Sequence, residues 1–187
     1  MCINSQITID IGYLAMRILG IDQSFTSCGF VIMDDSKQML SFGRLTSNKE
    51  QLSIDRARWI VDEIEKLVRE WQPTHVSFEG LALGVRMGDA TRDLAGLMYM
   101  MWSTLRHQHG YVDNLHVVAP TTVKKHATGK GRAEKKDMIA ALPDSVRDTI
   151  LAAGYLKTKG LPDIADAYWI ASHALTVYQN SGIVSST

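Results

Sequence analysis

Two short apolar segments that each end in an acidic residue constrain the fold more than any other feature of the chain. Arg17–Asp22 and His75–Glu79 both read as strands, and in both the carboxylate comes last. Carboxylates at the ends of central strands usually face a cleft rather than open solvent. The two segments therefore predict a sheet whose strand ends carry acidic side chains.

The remaining sequence predicts an α/β fold, with a mixed five-stranded sheet flanked by helices. Turn-forming residues separate the strand-like segments, and helical periodicity interrupted by proline marks the helices. Because a helix separates the third and fourth strands, we expect those two to form a parallel pair. The predicted strands are 17–22, 28–33, 39–46, 75–79 and 114–119. The predicted helices are 52–71, 90–109, a short one from Pro120, 133–142 and 163–178.

The chain length of 187 residues indicates one domain with a substantial core. We predict a single domain over residues 16–180 and a polar tail at 181–187. Two interpretations of residues 1–15 stay open: a loose or non-native extension, with Met16 as the natural start, or an extra edge strand at residues 7–11. No stretch approaches the roughly 18 apolar residues of a membrane span, and the cysteines lack metal-site spacing. Both observations predict a cytoplasmic protein without a membrane partner.

Two further acids, Asp163 and Asp166, lie three residues apart at the start of the last predicted helix. Residues i and i+3 share one helix face, so both carboxylates project together. With Asp22 and Glu79 they would form a group that repels itself unless a cation neutralises it. Because the ligands are hard oxygens, we expect Mg²⁺, with Mn²⁺ as a substitute. Taken singly, each acid is also consistent with an ordinary surface charge, and Asp163 with a charge favoured by the helix dipole.

One basic segment contrasts with the overall net charge of zero. Within it, Gly129 and Gly131 would let the backbone approach a phosphate closely. Phosphate contacts supply affinity for nucleic acids, so the segment predicts a surface that binds their backbone. A solvated helix face is the alternative. The cations of the segment are Lys124, Lys125, Lys130, Arg132, Lys135 and Lys136.

These features together resemble the RuvC-type Holliday-junction resolvases of the ribonuclease H-like superfamily. The resemblance runs from about Arg17 to His173 and implies a homodimeric, Mg²⁺-dependent endonuclease. Such an enzyme nicks two strands symmetrically at a four-way DNA junction, in recombination, repair or phage DNA processing. The motifs that carry the resemblance are Ile18-Leu-Gly-Ile-Asp22, Phe78-Glu79-Gly80, Pro120-Thr-Thr-Val-Lys124-Lys125, Gly129-Lys-Gly-Arg-Ala-Glu-Lys135 and Asp163-Ile-Ala-Asp166-Ala.

The resemblance also implies roles for individual residues. Lys124 and Lys135 match basic residues near the scissile phosphate, and we count Lys135 among the catalytic residues. The resemblance implies two metal ions per active site. The residues that match the family's metal ligands are Asp22, Glu79, Asp163 and Asp166.

Three departures separate the chain from the usual form of that family. Gln23-Ser24 follows the first acid, where the family usually has Pro-Gly. Ala82 lies near the position of an aromatic residue that stacks into the junction. Residues 84–97 look more like phage-encoded members, and there Arg86 and Arg92 are candidate DNA contacts. A broader debranching activity on Y-shaped or fork DNA is therefore an alternative function, in a bacterial cytoplasm or an infected host cell.

Other functions also stay open. Asp22-Gln-Ser-Phe-Thr26 resembles the phosphate loop of actin-like ATPases and sugar kinases, but those proteins need two such domains and a longer chain. We therefore expect no nucleotide cofactor. A non-catalytic junction-binding protein and a nuclease acting on RNA are the remaining alternatives. The apolar stripe at residues 94–105 predicts either a dimer interface or part of the core.

Overall fold

The computed structural model of the chain describes residues 16–81 and 88–181. The predictions for residues 1–15, for Ala82 and Arg86, and for residues 182–187 lie outside the described residues. The strands are β1 Arg17–Asp22, β2 Cys28–Asp34, β3 Met39–Leu45, β4 His75–Glu79 and β5 Leu115–Val118. The helices are α1 Ser53–Trp71, α2 Asp89–Gln108, α3 Pro120–Thr128, α4 Lys135–Ala140, α5 Asp144–Ala152 and α6 Leu161–Asn180.

The strands form one mixed sheet in the order β3-β2-β1-β4-β5, which confirms the predicted fold class. β1 is antiparallel to β2 and parallel to β4, and β4 is parallel to β5. The expected parallel pairing of the third and fourth strands is wrong, because β4 lies beside β1 and not beside β3. After the β1-β2-β3 meander β1 keeps a free edge, and the crossover through α1 brings β4 to that edge.

Alternating side chains give the sheet two different faces. On one face, Leu19 and Ile21 of β1 belong to the core that also includes residues of α1 and α2. On the other face, Ile18 packs in a second core with residues of α6. The apolar stripe at residues 94–105 contributes to the first core, as its core interpretation predicts. Its buried members are Leu97, Met98, Met101 and Leu105.

Helix α5 was not predicted from the sequence. α5 begins directly after Pro143, where we predicted no helix, and its Ile150 is fully buried in the second core. Its buried face consists mainly of Val146 and Ile150, and two apolar positions make a weak periodic signal. In the described part of the chain, no helix is long and apolar enough to cross a membrane.

Two glycines let α6 lie directly on the sheet. A Cβ at Gly20 would lie 2.7 Å from the Cβ of Ala171, and one at Gly29 would lie 2.6 Å from the carbonyl carbon of Asp163. Any larger residue would push the helix away, so glycine is needed at both positions. The close approach brings the first turns of α6 over the ends of β1 and β2.

Candidate active site

Asp22 and Glu79 end two neighbouring parallel strands. β1 and β4 pair with Ile21 beside Phe78, so the acids that follow lie side by side at one edge of the sheet. Because side chains alternate along a strand, Asp22 points to the same face as Gly20, which is the face covered by α6. This is the arrangement that the two apolar segments predict.

Asp163 and Asp166 face the strand ends from the first turns of α6, with side chains that are only 18% and 19% exposed. Lys135, at the start of α4, reaches toward both. Its Nζ lies 3.7 Å from Oδ1 of Asp163 and 3.5 Å from Oδ2 of Asp166. The structure thus brings the five predicted catalytic residues into one cluster, called the acidic cluster below: Asp22, Glu79, Asp163, Asp166 and Lys135.

Burial and mutual repulsion raise the pKa values of the acids. Burial, and then Asp166 and Glu79, raise the pKa of Asp22 well above its usual value, and Lys135 opposes them. Burial and Asp166 raise the pKa of Glu79 to about 7, against the opposing effects of Lys124 and Lys135. The pKa of Asp166 is also raised, because the effect of burial outweighs the opposing effect of Lys135. The raised pKa values indicate that the site has too little positive charge to balance all of its carboxylates.

Lys135 is held in its charged form by the same acids. Burial acts to lower the pKa of Lys135, but the carboxylates of Asp166, Asp22 and Asp163 outweigh it and the net shift is upward. The ammonium group therefore provides part of the positive charge that the acids lack.

The donor set fits a hard divalent cation, although the side chains do not enclose one. Carboxylate oxygens are the ligands that Mg²⁺ and Mn²⁺ prefer, and a bound cation would displace the protons that the buried acids retain. Within residues 16–81 and 88–181, no three His, Cys, Asp or Glu side chains are arranged to hold a metal ion. Closure around an ion therefore needs side-chain rotation, and the metal site stays a prediction.

Two positioning residues in the turn after Asp22 were missed. Gln23 is only 7% exposed, and its Nε2 donates a hydrogen bond of 2.7 Å to the main-chain oxygen of Glu79. Ser27 Oγ donates a hydrogen bond to the carboxylate of Asp163. The turn therefore ties the end of β1 both to the end of β4 and to α6. The signal in the sequence was Gln23 itself, a polar residue in place of the usual proline.

Among the predicted DNA contacts, Lys124 and Lys135 lie nearest the acids. Lys124 is on α3, close enough to Glu79 and Asp166 to oppose the net rise in the pKa of both carboxyl groups. Both lysines can therefore contribute positive charge where a phosphate would approach the acidic cluster.

The other predicted DNA contacts lie outside the acidic cluster. Lys136 pairs with Glu134 at 2.9 Å. Arg92 is on α2, which packs against the opposite face of the sheet, and pairs with Asp89 at 2.8 Å. The remaining three are exposed on α3 and in the turn that follows it: Lys125, Lys130 and Arg132.

The family model for crossover junction endodeoxyribonuclease RuvC matches residues 18–173, which include the whole acidic cluster. The chain belongs to the RuvC family. The RuvC of Finegoldia magna is 27% identical over 162 residues, covering 83% of this chain and 90% of that protein. The RuvC of Rickettsia conorii is 28% identical over 127 residues, covering 66% and 78%.

A solved structure supports the same fold. Thermus thermophilus RuvC in complex with a Holliday junction substrate is 17% identical, covers 89% of this chain and 96% of that chain, and has a TM-score of 0.66. Membership of the RuvC family confirms the ribonuclease H-like fold that the motifs predict. It also places the chain in a family of metal-dependent nucleases.

Proposed function

We propose that this RuvC-family chain is an endonuclease that resolves four-way DNA junctions by paired, symmetric nicks. The observation that carries the proposal is the acidic cluster, in which acids from β1, β4 and α6 meet around Lys135. The RuvC proteins of F. magna and R. conorii are named crossover junction endodeoxyribonucleases, and the T. thermophilus structure contains a Holliday junction. These relatives support a four-way DNA junction as the substrate of this chain.

We propose that the four acids hold two Mg²⁺ ions, which Mn²⁺ can replace. Asp22 would be the central residue of this ligand set, because Asp166, Glu79 and Asp163 all lie close enough to raise its pKa. When bound, a divalent cation supplies positive charge that neutralises the acids and polarises the scissile phosphate. Ser27 keeps the Asp163 carboxylate in place for this role.

Lys135 has a separate task in the proposed reaction. Its charged ammonium group lies beside Asp166, where it can hold a phosphate oxygen and offset the negative charge that develops there. Lys124 provides a second positive charge near Glu79. The reaction adds water across the bond between phosphorus and the 3′-oxygen, and so leaves a 5′-phosphate and a 3′-hydroxyl.

We further propose a homodimer, because a two-fold symmetric junction presents two equivalent scissile phosphates. The stripe at residues 94–105 is a poor interface, since four of its side chains are buried in the core. Another surface must therefore supply the contact. The proposed location is the cytoplasm of a bacterium or of an infected host cell.

A nicking assay on a synthetic four-way junction tests the proposal. Wild-type protein, Asp22→Asn and Asp113→Asn are compared in Mg²⁺, with linear duplex and Y-shaped DNA as control substrates. Asp113 is an exposed loop residue and gives a matched loss of charge. We expect paired nicks on the junction from the wild type and from Asp113→Asn, and none from Asp22→Asn.

Two other outcomes would change the proposed function. Equal cutting of all branched substrates would indicate a general debranching nuclease, which Gln23-Ser24 and Ala82 favour as departures from the usual family sequence. Tight binding of the junction without cutting, in Mg²⁺ and in Mn²⁺, would indicate a non-catalytic junction-binding protein.

A further inference from the structure

A basic groove lies beside the acidic cluster and includes cations that the sequence motifs did not indicate. It is a cavity of about 640 Å³ between α4, α5 and the beginning of α6. Apolar side chains also line it, among them Ile139, Leu151 and Leu161. In the described part of the chain no acidic residue lines this groove, whereas four basic ones do: Lys135, Lys136, Arg147 and Lys157.

The groove is continuous with the acidic cluster. Lys135 lines the groove and also lies 3.5 Å from the carboxylate of Asp166. Pro162, another lining residue, directly precedes Asp163 in the first turn of α6. DNA whose phosphate lies at the acids can therefore continue into the groove without leaving the protein surface.

The lining of the groove suits a sugar-phosphate backbone. Apolar side chains such as Leu151 and Ile139 can contact deoxyribose rings, while the basic side chains contact phosphates. Arg147 pairs with Asp144, whose side chain is 85% exposed. Because the Asp144 carboxylate is well solvated, its attraction to Arg147 is weak, and a phosphate can replace Asp144 at little cost.

Lys157 is held in position by a tight turn. The main-chain N–H of Leu156 donates to the oxygen of Lys159 at 3.0 Å, and the N–H of Lys159 donates back to Leu156 at 2.8 Å. The turn leads directly into α6 through Gly160, whose φ of 89° is a left-handed conformation that glycine adopts without strain. The main chain at Lys157 is therefore fixed relative to the helix that carries Asp163, and the exposed side chain lines the groove from there.

We propose that this groove binds the duplex arm that leads away from the scissile phosphate, with Arg147 and Lys157 in contact with its phosphates. The inference rests on the proposed function, because it takes junction DNA as the substrate. Each phosphate that a basic side chain neutralises steepens the salt dependence of binding by about 0.9 in the log–log slope for duplex DNA. The two side chains together account for about 1.8 of that slope.

The test compares Arg147→Ala/Lys157→Ala with Arg58→Ala/Lys66→Ala. The control pair also removes one arginine and one lysine, from exposed positions on α1, where their side chains are 55% and 66% exposed. Binding to a four-way junction is measured in Ca²⁺ over a range of salt concentrations, and nicking is measured in Mg²⁺. We expect the groove variant to lose about 1.8 of slope and to raise KM about tenfold, with kcat within about twofold of wild type.

The control pair should change none of these quantities. A groove variant with the wild-type salt slope, or a control pair that lowers the slope equally, would contradict the inference. If the wild type cut no junction while the groove variant alone lowered the slope, the groove would stand as a DNA site and the proposed function would be wrong. Lys157→Glu should weaken binding more than Lys157→Ala, because it adds repulsion to the lost contact.

Discussion

Replacing Gly29 with alanine tests whether the contact between α6 and the sheet sets the geometry of the acidic cluster. The added Cβ would meet the carbonyl carbon of Asp163 at 2.6 Å and its Cβ at 3.3 Å. Backbone atoms cannot rotate away as the tip of a long side chain can. The first turn of α6 must therefore shift by roughly 1 Å to restore an ordinary carbon–carbon contact of about 3.5 Å.

Two separately measurable losses, one of stability and one of nicking rate, should follow from that shift in Gly29→Ala. Overpacking costs about 1–3 kcal/mol of the free energy of unfolding, or roughly 2–12 °C in Tm for a domain of this length. The same shift moves Asp163 relative to Lys135 and the strand ends. Misplacing a catalytic group by about 1 Å can cost about 100-fold in rate, so nicking should fall by about that factor even at temperatures where the variant stays folded.

Gly96→Ala is the matched control, because it makes the same substitution in the helix α2. A Cβ at Gly96 would meet no atom within 4 Å. Glycine inside a helix is less favourable than alanine by roughly 0.5–1 kcal/mol, so this variant should be slightly more stable than wild type and cut normally. Thermal unfolding and single-turnover nicking measure both effects. Wild-type nicking by Gly29→Ala, in a folded protein, would refute the reasoning.

Three further predictions concern the acids and Lys135. Asp22→Asn should abolish nicking and keep or strengthen junction binding in a gel-shift assay, because a charge that repels DNA is lost; wild-type cutting would show that Asp22 is not in the active site. Lys135→Ala should slow nicking and lower the salt slope of binding by about 1, whereas an unchanged slope would assign Lys135 to the bulk surface. Because the pKa of Glu79 rises from 4.5 to about 7 on folding, the stability that its proton contributes is fully present below pH 4.5 and is lost as pH rises through about 7. In EDTA, Tm should therefore fall between about pH 4.5 and about pH 7 and level off above that, less steeply in Glu79→Gln, and Mg²⁺ should raise Tm more at pH 7 than at pH 4.5; equal slopes for both proteins would count against the shifted carboxyl group.

The positions of the four acids were predictable because each depends on a local pattern. Asp22 and Glu79 end apolar strands, and Asp163 and Asp166 have the spacing of one helix face. The pairing of β4 with β1 was not predictable in the same way. An apolar segment indicates that a strand is present, but it does not indicate which other strand pairs with it. The hydrogen bonds from Gln23 and Ser27 could not be predicted from local patterns either. Their acceptors lie 56 and 136 residues away in the sequence, respectively.

The basic groove could not be predicted from local sequence patterns, because its cations come from separate parts of the sequence. The segment from Lys124 to Lys136 stands out because its cations are close in sequence, whereas Arg147 looks like an isolated surface charge until α5 folds against α6. The structure then places Arg147 and Lys157 in one cavity with Lys135. Phosphates along a duplex arm are spaced over distances that one loop cannot cover, so a surface that follows such an arm must draw cations from several elements. The dispersed cations are therefore the ones that should set the path of the arm, while the contiguous segment marks its starting point beside the acids.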